Sequence, residues 1–131
     1  MAKIQHFEDL ECWKLSRQLT VSIYKLCEPV PLSRDNTLSK QMKRAAISVM
    51  NNIAEGFTRY SNKEFIRFLE IANGSAAEIK SMLYLLIDLN YYSQEEMDAL
   101  FQLQHSIQIK IRAFIRYLKS RHTPQPKHPN T

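Results

Sequence analysis

Residues 41–57 read QMKRAAISVMNNIAEGF, and the fold turns on how this stretch is read. Met42, Ala45, Val49, Ile53 and Phe57 recur at steps of three and four, the spacing of one helix face. With Leu38 they make a stripe along a helix expected from about 36 to 57. Ile47, Met50 and Ala54 fall on a flank more than a quarter-turn away, so the apolar arc is wider than one partner helix needs. Lys40, Arg44, Asn51 and Glu55 share the opposite, wet arc. The C-terminal end is unusual. Asn51, Asn52, Glu55 and Gly56 crowd it, where Leu or Ala would make a better helix. Gly56 is the weak point at which the helix is expected to end.

Three further helices flank this one. The first is expected over 9–27, capped by Asp9, with Cys12, Leu15, Leu19, Ile23 and Leu26 as its stripe and Trp13, Val21 and Tyr24 widening it. Glu28-Pro29-Val30-Pro31 stops it, because proline lacks the backbone donor and clashes with the preceding turn. Ser61-Asn62-Lys63-Glu64 has the pattern of a capping box and opens a helix over 61–90. Its stripe is Phe65, Phe68, Leu69, Ala72, Ala76, Ile79, Leu83 and Leu86, and its second half is apolar on nearly all sides. Gly74 sits in mid-helix among small residues, which predicts close approach of another helix or a kink. Ser93-Gln94-Glu95-Glu96 opens the last helix, 93–119, whose core side is Met97, Leu100, Ile107, Ile111, Phe114 and Leu118. Four amphipathic helices with short connections pack most simply as an antiparallel up-down-up-down bundle over 1–119. Residues 120–131, with three prolines and little to bury, read as a disordered basic tail.

Composition agrees. The chain has 131 residues, enough for one ordinary domain, and two glycines, few for a turn-rich β fold. The net charge of +5 is unevenly spread. Every acid precedes residue 99, whereas Lys110, Arg112, Arg116, Lys119, Arg121 and Lys127 all follow it. Such asymmetry points to an anionic partner, nucleic acid ahead of a membrane surface. On the last helix His105, Gln108, Arg112, Arg116 and Lys119 form a row at steps of three and four. Lys40, Lys43 and Arg44 are the next candidates for phosphate contact. The row holds no aromatic residue for base stacking, so little base specificity is expected. The bland reading is a basic last helical turn followed by a solvated tail.

Motifs for catalysis are absent. No His is spaced from another His or an acid as helical metal ligands require, and there is no glycine-rich phosphate loop. Neither metal nor cofactor is implied. Cys12 and Cys27 lie about 22 Å apart on one helix, too far for a disulfide, and read as reduced core residues. The N-terminal stretch lacks an apolar run, which reads as neither signal peptide nor membrane span and predicts a cytoplasmic protein.

The strings FEDLECWKLSRQL, QMKRAAISVMNNIAEGF and NKEFIRFLEIANGSAAEIKSMLYLLIDLNY resemble the four-helix-bundle family encoded by intervening sequences in large-subunit ribosomal RNA genes. The likeness spans roughly residues 7–119, and Asn52, Glu55, Gly56, Gly74 and Ser75 fall where the family's signatures do. The resemblance implies an antiparallel bundle. It also implies kinship with the accessory protein of diversity-generating retroelements, a basic, ring-shaped homopentamer that binds RNA and a reverse transcriptase. The leading expectation is a non-enzymatic, homo-oligomeric bundle that binds nucleic acid, RNA ahead of DNA. A protein-binding adaptor of a reverse transcriptase, or a bare scaffold, is the alternative. Surplus apolar residues Ile47, Met50 and Ala54, with Ile66, Tyr84, Leu85 and Ile87, are the candidate subunit interface. For the crowded helix end, capping and bonding roles are expected: Asn52 to backbone where the helix frays, Gly56 for the turn, Glu55 to Arg59 or Arg44. The functional alternative is that Asn51, Asn52 and Glu55 make a subunit contact or hold a phosphate-binding arginine.

Overall fold

In the computed structural model, which describes residues 4–121, the deciding stretch lies in a single helix, α2, Asn36–Phe57. The Asp35 carboxylate caps it by accepting the Leu38 N–H at 3.1 Å. The expected stripe is buried throughout: Leu38, Met42, Ala45, Val49, Ile53 and Phe57, joined by Ala46 and Ser39. Around it stand α1, Glu11–Leu26; α3, Asn62–Asp88; and α4, Gln94–Lys119. Each helix packs on its neighbours in sequence, and α1 also packs on α4, which closes an up-down-up-down bundle. Among the described residues there is no strand, and no helix is long and apolar enough to cross a membrane.

Boundaries follow local chemistry. Ser93 accepts the Glu96 N–H while the Glu96 carboxylate accepts the Ser93 N–H, a complete capping box. At α3 only the forward half forms, Ser61 accepting from the Glu64 N–H. Asp9 does not cap α1. It belongs to a separate 3-10 turn, Phe7–Asp9, and Leu10 takes the cap position without a side-chain bond. The turn is held instead by the Phe7 ring edge-on to Trp13 at 5.1 Å. α3 stops two residues before its expected end because Asn90 turns left-handed, φ 60°. The Tyr91 N–H then reaches the Leu86 carbonyl and the Asn90 N–H that of Ile87, a Schellman stop.

The core runs the length of the bundle through Leu19, Ile23, Met42, Ile53, Phe65, Leu69, Ile79, Leu83, Leu86 and Ile107, none exposed by more than 1%. Two expectations of the wheel are corrected. Val21 and Tyr24 are solvent-exposed rather than part of the α1 stripe. In their place Ser16 is buried, its hydroxyl satisfied by the Cys12 carbonyl at 2.6 Å. Far from the α4 C-terminus, the Tyr92 hydroxyl donates to the Leu26 carbonyl and that of Tyr91 to Asp35, tying the α3–α4 connection to the α1–α2 one. Residues 122–131, most of the expected tail, lie outside the described residues.

Candidate nucleic-acid interface

At the other end of the bundle the C-terminus of α4 lies beside the N-terminus of α3, with Phe114 edge-on to Phe65 at 5.1 Å. Between them runs an open groove lined by Asn62, Lys63, Ile66, Arg67, Glu70, Leu118, Lys119 and Arg121. Arg112 and Arg116, exposed on α4, share a helix side with Lys119. None of these three forms an ion pair among the described residues, where the pairs seen are Lys14–Glu11 and Arg59–Glu55. Cations in the last turn of α4 also oppose the partial negative charge of its carbonyl end. The expected row is corrected at one position. Gln108 is buried, its amide donating to the Asn73 side chain and carbonyl on α3. Gln104, also buried, donates to the Ala76 carbonyl and to Gln108. These glutamines seam α3 to α4 and leave His105, Arg112, Arg116 and Lys119 as the wet row.

The other candidate cations lie elsewhere. Lys110 is half a turn round α4 from the row, close enough to Cys12 on α1 to act on it electrostatically. Lys40, Lys43 and Arg44 belong to α2, diagonal to α4, in the half that meets the second half of α3. Lys43 sits over the Tyr24 ring at 5.0 Å. Sequence reading missed Lys63 and Arg67 because the segment holding them also holds Glu64 and Glu70 and so carries no net charge.

The crowded end of α2 resolves into two contacts. The Asn52 amide donates to the Ser48 carbonyl and hydroxyl, and the Ser48 hydroxyl meets that of Ser75 on α3 at 2.8 Å. Asn52 therefore serves a polar seam rather than a frayed end, with Ser48 as the link that the sequence did not reveal. Glu55 takes the nearer of its two expected partners, Arg59 Nη2 at 2.8 Å. Gly56 is not a turn residue. It lies within α2, buried, with no left-handed backbone, and a Cβ there would stand 2.8 Å from Phe65 Cδ1 and from Phe68 Cβ. Gly74 is the reverse case: α3 passes through it unbroken, and a Cβ would meet nothing within 4 Å. Its expected close approach does not occur.

Residues 8–113 match the family described as 23S rRNA-intervening sequence protein. The chain belongs to that family. A crystal structure of a protein of unknown function from the S23 ribosomal protein family of Bacteroides thetaiotaomicron is 28% identical, with a TM-score of 0.72 over 79% of this chain and 97% of that one. No curated protein matches the chain. The family resemblance drawn from the three quoted strings therefore holds, as does the bundle it implied.

The candidate interface residues of this family member differ in exposure. Ile47, Tyr84 and Leu85 are exposed, whereas Met50, Ala54, Ile66 and Ile87 are half-buried. Met50 faces α1, its sulfur 3.4 Å from the Thr20 hydroxyl; Tyr84 leans on Phe101 of α4. Burial pushes the Cys12 thiol up to about 12, so it stays protonated and unreactive at neutral pH. Among the described residues no cluster of three or more His, Cys, Asp or Glu could hold a metal ion.

Proposed function

We propose that the protein is a non-enzymatic, homo-oligomeric RNA-binding bundle that grips phosphates along the α4 row and the α3–α4 groove. The observation that carries this reading is the convergence of Lys63, Arg67, Lys119 and Arg121 on one groove, with Arg112 and Arg116 continuing it along α4. Among the described residues, Glu70 is the single acid lining that groove. Exposed guanidinium and ammonium groups in a track suit a phosphate backbone, which needs charge at intervals rather than base-edge contacts. RNA is the polyanion that the resemblance to an RNA-binding retroelement accessory protein implies.

The test is fluorescence anisotropy with labelled RNA across a salt series. Replacing Arg112, Arg116 and Lys119 together by Gln weakens binding to all RNA sequences alike. It also lowers the slope of log affinity against log salt by about 2, at about 0.7 per single-strand phosphate contact. An unchanged affinity and slope removes the α4 row as the site. A second reading, an adaptor for a reverse transcriptase, draws on Tyr84 and Leu85, exposed on the second half of α3, and Leu89, exposed just past its end. Failure of a purified reverse transcriptase of this class to bind would count against it.

A further inference from the structure

The turn between α2 and α3 places an aromatic ring and two guanidiniums beside the basic groove. Tyr60 is 65% exposed, more than any other large apolar side chain described, and it makes no ring contact or hydrogen bond among the described residues. It lies between Arg59 and Ser61, two residues before Asn62 on the groove wall. The Arg59 guanidinium carbon sits 4.8 Å from the Phe68 ring centroid, and that of Arg67 lies 5.2 Å from the same centroid. Phe68 can take this place because Gly56, lacking a side chain, lets its Cβ come close to α2. Glu55 holds one Nη of Arg59, while the buried Arg59 Nε has no partner. Among the described residues Glu55 is the one carboxylate paired with either guanidinium, and Arg67 forms no ion pair.

We propose that the α2–α3 turn is a base-stacking site for single-stranded RNA. Tyr60 stacks one unpaired base, and Arg59 and Arg67, held on the Phe68 ring, take the phosphates flanking it. The proposal rests on the RNA reading above and narrows it. A duplex keeps its bases stacked on one another and offers none to a protruding ring, whereas a single strand splays them out. The groove then carries the strand onward from Arg67 past Lys63 to Lys119.

Two labelled probes of equal length, an oligouridylate and an RNA duplex, separate the possibilities in anisotropy titrations of the full chain. Tyr60→Ala is expected to lose about five- to a hundredfold in oligouridylate affinity while its salt slope and duplex affinity stay at wild-type values. Tyr60→Phe keeps the wild-type affinity, since the ring and not the hydroxyl acts. Arg67→Gln lowers the oligouridylate salt slope by about 0.7. Equal oligouridylate affinity of Tyr60→Ala and the wild type, or an equal loss on both probes, overturns the stacking site and leaves phosphate binding standing. A wild-type protein that binds neither probe at low salt overturns RNA binding itself, and this site with it. Helical circular dichroism of each variant confirms that an exposed turn residue was changed without loss of fold.

Discussion

A methyl group added at Gly56 would stand 2.8 Å from the Phe68 Cβ, an atom that cannot swing aside as the tip of a side chain can. Either α2 and α3 must separate or the Phe68 seat must shift, at a cost of about 1–3 kcal/mol. Alanine's better helix propensity offsets about 1 kcal/mol of that. Gly56→Ala is therefore expected to lower stability by up to about 2 kcal/mol, and also to disturb the two guanidiniums on Phe68. Gly74→Ala meets open space in mid-helix and is expected to raise stability by about 0.5–1 kcal/mol. Urea denaturation of both variants checks the pair; a Gly56→Ala variant as stable as the wild type or more so would show that packing at Gly56 does not govern. From sequence the assignments were reversed, Gly56 read as a turn and Gly74 as a close approach. Composition around a glycine does not reveal what faces it from another helix.

The four helices themselves were legible because their signals are local. Proline at 29 and 31, serine followed three residues later by glutamate, and stripes at steps of three and four each act within a few residues of chain. What escaped depends on partners far away in sequence. Gln108 sits in line with Arg112 and Lys119, and the Asn73 carbonyl and side chain on α3, with Gln104 one turn back, give it a reason to be buried. Ser48 has no helical signal, yet it joins Asn52 to Ser75 across 27 residues of chain. Asp9 and Asn90 show the same limit at helix ends. An acid before a helix caps it only if the backbone turns there, and asparagine stops a helix less predictably than glycine. The basic track was half legible. Its α4 part stands in a segment free of acids, and its α3 part hides among glutamates.

For the whole molecule, the proposed self-association rests on apolar side chains that the bundle leaves exposed. Ile47 is 36% exposed and Leu85 42%, on adjacent helices. Met50 is a poor site for a charge because it fills the α1–α2 seam, whereas these two can change with little effect on folding. Light scattering is expected to give a multiple of the monomer mass at micromolar concentration, and Ile47→Glu with Leu85→Glu to reduce it while helicity persists. A monomer mass for the wild type overturns the oligomer. An unchanged oligomer in the double variant removes this surface as the contact.

The closed ring of helices has a further consequence, in the order in which its parts come and go. The seams α1–α2, α2–α3 and α3–α4 join neighbours along the chain, but α1–α4 joins its two ends and bears the largest loop-closure entropy. α1 also buries four residues where α3 buries nine. The first helix is thus the least committed. In native-state hydrogen exchange its amides are expected to open at a lower free energy than those of α3, with equal protection in both helices as the contrary result. A bundle that can loosen one helix while the other three stay paired keeps the α3–α4 groove and the Tyr60 turn intact, because neither is built from α1.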